Sequence, residues 1–263
     1  MKKRKIKIYA VFIVLLIAYG LQLTAVFAQT DYNAIKCKDV VDGDTIILEN
    51  GEHLRYIGLD TPETRKRVGK SWVSDPQPFS MEAKELNASL VKDKVLRVEF
   101  DVQRQDKYNR LLGYCYVGGV FVNARLLEEG LAVIYTFPPN VKHTDLFVSL
   151  QKKARDAKSG IWKEGVTVSA DKAKNYIGQI KTVYGRVVNV RQSPKAVYLN
   201  FGKDWQSDFT VVIFRKDLSL SDKERFRPKE LYQGKNVSVT GRIREFKGPE
   251  IIVRHPSSIE IAE

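Results

Sequence analysis

Residues 41–63 hold the densest group of side chains able to do chemistry. They read VDGDT and, after a gap, continue LRYIGLDTPE. Asp44, Asp60 and Glu63 are expected at strand ends or in the adjoining loop. A hard cation such as Ca²⁺ takes several oxygen ligands, carboxylates and carbonyls among them. Asn50-Gly51 is a strong short hairpin signal. If it pairs the flanking strands, it brings Asp44 and Asp60 together. Arg55 lies mid-strand among apolar neighbours, where arginine is seldom placed without a partner. A second segment, DKYNR at 106–110, puts Arg110 at the start of a strand. Two guanidinium groups converging on a metal-bound carboxylate cluster suit phosphoryl chemistry, because guanidinium pairs with phosphate oxygens and offsets transition-state charge. Any one of these five side chains alone is what an ordinary surface ion pair would supply; it is their grouping that points to a site.

The elements that must position them are legible in outline. Residues 35–59 are expected to form strands around the 50–51 turn. The polar stretch 62–78, marked by Pro62, Gly69, Pro76 and Pro78, reads as a long exposed loop. Ser80 is placed to cap a helix over 80–91, with Ala83, Leu86 and Leu90 on one face. Leu96, Val98 and Phe100 alternate with Arg97 and Glu99, as in a half-buried strand. Another strand over 110–117 turns at Gly118-Gly119. Helices are expected over 123–129 and 144–158, with Gly130 and Gly160 past their ends.

Together these pieces closely resemble the staphylococcal (micrococcal) nuclease family. The resemblance is carried by VDGDT, by the run from Arg55 to Glu63, by DKY followed by Arg110, and by EEGLA at 128–132 followed by an aromatic. It covers about residues 35–163. It implies a β-rich α+β fold, a five-stranded OB-type barrel with three helices. It also implies a calcium-dependent endonuclease that hydrolyses phosphodiester bonds of DNA or RNA and leaves 3′-phosphate ends. Asp44, Asp60 and the main-chain carbonyl of Thr61 are then the metal ligands. Glu63 orients or deprotonates water, and Arg55 and Arg110 grip the scissile phosphate. Lys107 and Tyr108 match positions that contact nucleotide phosphate, and Tyr135 a tyrosine of the nucleotide pocket. Phe137 stands where relatives carry a second pocket tyrosine, and the loop at 64–79 is longer than the family's. A non-catalytic nucleic-acid-binding or surface-tethered protein on the same fold is the alternative; such members lack some of the acids or arginines, all of which are present here.

Of the 263 residues, 43% are hydrophobic, which is enough for packed cores and excludes wholesale disorder. The net charge of +13 is unevenly spread. Residues 1–28 carry five lysines or arginines and no acid; residues 29–167 carry 21 basic against 20 acidic; residues 168–263 carry 18 against 11. A basic excess of that kind fits either a polyanionic partner or a basic soluble surface. The basic N-terminus runs into an apolar segment, Ile8 to Leu21, and Val26-Phe27-Ala28 offers a cleavage site. Residues 1–28 thus read as a signal peptide or an uncleaved anchor. Either sends the rest out of the cytoplasm as a secreted, periplasmic or cell-surface protein, with membrane contact through this segment if it is uncleaved. No obligate protein partner is implied. Cys37 and Cys115 permit a disulfide without demanding one. His53, His143 and His255 lack metal-ligand spacing and are expected at the surface.

Residues 29–165 are expected to be the nuclease-like domain, with a boundary in 161–175. Beyond it come β-rich stretches at 182–190, 197–201, 209–214, 237–243 and 250–254, with 218–232 partly helical. Residues 171–263 resemble a second, small OB-like barrel. Such barrels often bind single strands through basic grooves and aromatic platforms. Tyr198, Trp205, Phe209 and Phe214 are the candidate platforms, at least one of Phe209 and Phe214 being expected in the core. A structural or protein-docking role is the alternative. Gly185-Arg186-Val187 and Gly241-Arg242-Ile243 share a faint similarity, too weak to be a repeat.

Overall fold

A computed structural model describes residues 30–136, 138–163, 167–218 and 226–262. The expected signal segment 1–28 and Phe137 lie outside the described residues. Thirteen elements follow in the first part of the chain: β1 (Ile35–Val40), β2 (Thr45–Leu48), β3 (His53–Tyr56), β4 (Gly58–Asp60), β5 (Arg65–Val68), β6 (Ser71–Ser74), α1 (Ser80–Val91), β7 (Val95–Glu99), β8 (Leu111–Val117), β9 (Val120–Phe121), α2 (Val122–Glu128), β10 (Val133–Tyr135) and α3 (Thr144–Asp156).

Strands β3-β2-β1-β7-β8 run in that order, and a parallel β3–β8 pairing closes them into a five-stranded barrel of OB type. Alternation decides which side chains fill it. Ile46, Leu48, Leu54, Tyr56, Leu96 and Val98 are buried, while Ile47, Arg55 and Arg97 between them are less so. Helix α3 drives Phe147 into the core, where it is fully buried. Cys37 and Cys115 are free and buried among these side chains. Burial pushes their thiols up to about 11 and about 12, so neither is a thiolate nucleophile.

The second part adds β11 (Thr167–Ser169), β12 (Ile180–Arg186), β13 (Asn189–Gln192), β14 (Ala196–Asn200), β15 (Thr210–Phe214), α4 (Pro228–Tyr232), β16 (Asn236–Phe246), β17 (Gly248–Val253) and β18 (Ile259–Ile261). Here β12-β16-β17-β15-β14-β13 are neighbours in order, and β15 and β17 pair in parallel. The run 180–192 pairs with β16 at one end and with β14 at the other. The strand order of the first barrel is therefore repeated, around a second core of Val183, Leu199, Phe209, Val211, Val239 and Ile251 among others.

The two barrels belong to one compact unit, Tyr32–Glu263. Val133, Ile161 and Ile180 form a small apolar cluster between them, flanked by Phe79 and Trp162. Burying side chains of that size contributes ~1.5–3 kcal/mol each. Arg155 adds an ion pair to Glu260 at 2.8 Å. Among the described residues no helix is long and apolar enough to cross a membrane.

Three local expectations are corrected. Residues 62–78 are not an open loop throughout: β5 and β6 pair as an exposed antiparallel hairpin that turns at Gly69. Ser80 does not cap α1; Phe79 occupies the cap position in left-handed conformation, and the Ser80 hydroxyl is buried without a hydrogen-bond partner. His143 is half-buried rather than a plain surface residue. It packs edge-on against Tyr114 with ring centroids 4.5 Å apart, and it contacts Glu99.

Candidate active site

The turn at Asn50-Gly51 sets the register in which Thr45 faces Arg55. That register puts the Arg55 guanidinium beside Asp44, the residue just before β2. Nη1 of Arg55 lies 2.6 Å from Asp44 Oδ2, and Nη2 donates to Asp60 Oδ1 at 2.9 Å. The first contact is an off-axis ion pair: Nη1 is buried with no acceptor in hydrogen-bonding alignment. Asp60 arrives from β4, held by pairing with β10, in which Val133 faces Asp60. Thr61 then donates from its amide and its hydroxyl to Asp44 Oδ2, at 2.9 and 3.0 Å. Gly43 makes this approach possible, since a Cβ there would meet the Thr61 side chain at 2.8 Å.

Asp44, Asp60 and Thr61 are all buried, whereas the Glu63 side chain is 42% exposed. Burial pushes Asp44 up to about 7, with Asp42 and Asp60 adding to the shift and Arg55 opposing it. Asp60 is equally buried, yet Arg242 and Arg55 together hold it below the usual carboxylate value. Burial also raises Glu63, against the pull of Arg242. A raised carboxylate is a better proton acceptor near neutral pH than an ordinary one.

Arg242, in β16 of the second barrel, was not legible in the sequence as a site residue. Its Nε donates to Asp60 Oδ2 at 2.9 Å, its Nη2 to the Thr61 carbonyl at 2.8 Å and its Nη1 to the Gly178 carbonyl at 2.7 Å. Glu63 Oε1 lies 3.4 Å from Nη2. Gln77 ties the same seam: its amide oxygen accepts from the Glu63 amide at 3.1 Å, and its NH₂ donates to the Gly178 carbonyl at 2.9 Å. The signal that could have found Arg242 is the Gly241-Arg242-Ile243 triplet, whose arginine interrupts a half-buried strand.

The other expected residues are dispersed. Arg110 is engaged by Asp106, with Nε and Nη2 each 2.8 Å from Oδ2, and not by the acids around Arg55. The parallel β3–β8 register sets Leu112 beside Arg55, so Arg110, two residues earlier, leads into the same side of the barrel. Asp106 also accepts from the amides of Tyr108 and Arg110, folding 106–110 into a tight turn with Lys107 and Tyr108 at its tip. Tyr108 is 68% exposed. Tyr135 accepts from Arg244 Nη2 at 2.8 Å and has Arg254 5.5 Å from its ring centroid.

Among the described residues no group of three or more His, Cys, Asp or Glu side chains is arranged to hold a metal ion. The expected ligand set contains two carboxylates and a main-chain carbonyl, and these donors are present: Asp44, Asp60 and the Thr61 oxygen. They suit a hard cation in kind. Asp60, Thr61 and Glu63 already direct oxygens at one cationic group, the guanidinium of Arg242.

The family model for staphylococcal nuclease homologues matches residues 53–164, which hold every expected site residue except Asp44. A thermonuclease of Staphylococcus hyicus is 36% identical over 126 residues, covering 47% of this chain and 72% of that protein. This chain belongs to the staphylococcal nuclease homologue family. Two Bacillus subtilis (strain 168) proteins are also similar. The SPbeta prophage-derived endonuclease YokF is 44% identical over 127 residues, and endonuclease YncB is 43% identical over 127 residues. Each match covers 46% of this chain, but only 41% and 58% of those two proteins. The family match ends at residue 164, so the second barrel, Arg242 included, lies beyond it.

Proposed function

We propose that this chain is an exported, calcium-dependent endonuclease that hydrolyses phosphodiester bonds of DNA or RNA and leaves 3′-phosphate ends. The observation that carries the reading is the buried meeting of Arg55 with Asp44 and Asp60, beside Thr61 and Glu63. The printed names of the two Bacillus relatives, both endonucleases, support it. In this reading Asp44, Asp60 and the Thr61 carbonyl hold the metal. When bound, the ion supplies positive charge beside the phosphate and a template for its oxygens. Glu63 takes a proton from the attacking water. The new P–O bond forms as the bond from phosphorus to the 5′ oxygen breaks, and that oxygen is protonated from solvent. Arg55 and Arg110 offset the charge of the five-coordinate phosphorus, Arg110 turning from Asp106 to do so. Lys107, Tyr108 and Tyr135 border the nucleotide. Export rests on the basic cluster and apolar run of residues 1–28.

The second barrel is read as a nucleic-acid-binding module. Tyr198, Trp205 and Phe246 line an open groove of about 220 Å³, with Arg191 at its wall. Phe209 belongs to the core instead. A non-catalytic binding protein is the second reading, favoured by the engagement of Arg110 with Asp106 and of Arg242 with Asp60.

The deciding assay uses plasmid and RNA substrates with Ca²⁺, Mg²⁺ or EGTA, and takes protein from the medium as well as from cell fractions. Cleavage is expected with Ca²⁺ and lost in EGTA. The new ends should be phosphatase-sensitive at the 3′ side, and the activity should be recovered outside the cytoplasm. Glu63→Gln should lower turnover by orders of magnitude with the fold intact. Undiminished cleavage by that variant, or in EGTA, would remove this mechanism.

A further inference from the structure

The second barrel approaches the candidate metal site with a side chain that makes an unusual set of contacts. Arg242 stands opposite Ile180 in the β12–β16 pairing, at the edge of the apolar cluster that joins the barrels. Its side chain is 14% exposed. A structural ion pair needs one acid, and Arg55 already supplies a counter-charge to both Asp44 and Asp60. Arg242 instead spreads its donors over Asp60 Oδ2 and the Thr61 carbonyl, with Glu63 Oε1 at 3.4 Å. Two of these oxygens belong to the expected ligand set for the metal, and the third to the expected base. A divalent ion needs the same lone pairs, and two cations facing one carboxylate oxygen repel each other. Nearby, Arg244 and Arg254 cover Tyr135 from the same barrel. The seam thus closes over the nucleotide side as well as the metal side.

We propose that Arg242 is an internal competitor of the metal ion. It holds the metal-free chain in an autoinhibited arrangement, and metal loading requires the guanidinium to withdraw. This rests on the metal-site reading above. Once withdrawn, Arg242 carries its charge on the rim of the cleft, where a nucleic-acid phosphate is its natural partner. Arg242 lies outside the matched family span, so the device belongs to the added barrel and not to the nuclease fold itself.

The test compares the full chain with Arg242→Gln and Arg242→Lys by calorimetric Ca²⁺ titration, with thermal unfolding with and without Ca²⁺ as an independent readout. Arg242→Gln should bind Ca²⁺ at least about tenfold more tightly, as expected when a bound competitor is removed. It should also gain more in Tm on adding Ca²⁺ than the parent does. Arg242→Lys, which keeps one charge but loses the fork, should fall between the two. Equal or weaker Ca²⁺ binding by Arg242→Gln overturns the competition while leaving the metal site standing. Absence of Ca²⁺ binding in all three proteins overturns both readings. Should Arg242→Gln fail to fold, Arg155→Ala replaces it, because that change loosens the same seam at Glu260, away from the ligands. A lower Kd then supports the proposal, and an unchanged or higher Kd overturns it.

Discussion

At the scale of single residues, neighbours shift carboxylates in the molecule in two opposite directions. Around Arg55 the acids are crowded, and burial drives Asp44 up to about 7. At the end of β7 in the same barrel, Glu99 takes a hydrogen bond from Lys142 at 2.8 Å and contacts His143 Nε2 at 3.1 Å. Burial pushes Glu99 up, but these donors win and hold it at about 2, against an ordinary 4.5. A depressed carboxylate stabilises the fold fully above its unfolded value, and that stabilisation is lost as pH falls toward the folded value. Glu99→Gln should therefore lower Tm at pH 7, and the gap to the parent should close between about pH 4.5 and pH 2. A gap that stays constant across that range would show that Glu99 ionisation contributes nothing. The chemistry-bearing residues near Asp44 could be read from type and spacing because a hairpin turn and a strand register bring them together locally. Arg242 could not, since its partners are some 180 positions away and alternation along a strand says nothing about which neighbour a side chain meets.

At the scale of elements, the site depends on how β4 is set against α3. Gly58 opens β4 with φ near +87°, and a Cβ there would lie 2.4 Å from the Phe147 ring. Two residues later the same strand delivers Asp60. Gly58→Ala combines a left-handed backbone with overpacking of a rigid ring, so it should destabilise by roughly 2–5 kcal/mol. Denaturant unfolding at constant m-value measures this. A loss below about 1 kcal/mol would mean that α3 yields easily and that β4 is not clamped. Barrel strands were legible because one face is buried and the other is not. The β5–β6 hairpin was not, because both faces are exposed. With Trp72 held by Arg65 at 5.1 Å and no core to face, its pattern carries no period.

At the scale of the whole molecule, the chain pairs a near-neutral barrel that carries the candidate chemistry with a basic one of the same strand order. Residues 168–263 hold 18 basic and 11 acidic residues. Removing that part outright would also uncover Val133 and Ile161, so point changes on the full chain test its role more cleanly. Trp205 is 44% exposed, with Lys247 4.6 Å from its ring centroid and Arg191 5.9 Å from it. A base stacked on an aromatic ring is worth ~1–3 kcal/mol, independent of salt, whereas each phosphate contact adds to the salt slope. Trp205→Ala should thus weaken single-strand binding roughly 5- to 100-fold with an unchanged salt slope. Lys247→Gln should flatten the slope by about one unit with a smaller loss at high salt. Fluorescence anisotropy across a salt series, with EGTA present to prevent cleavage, separates the two. If Trp205→Ala binds like its parent at every salt concentration, the groove is not a base platform; if Lys247→Gln leaves the salt slope unchanged, the groove does not contact phosphate either.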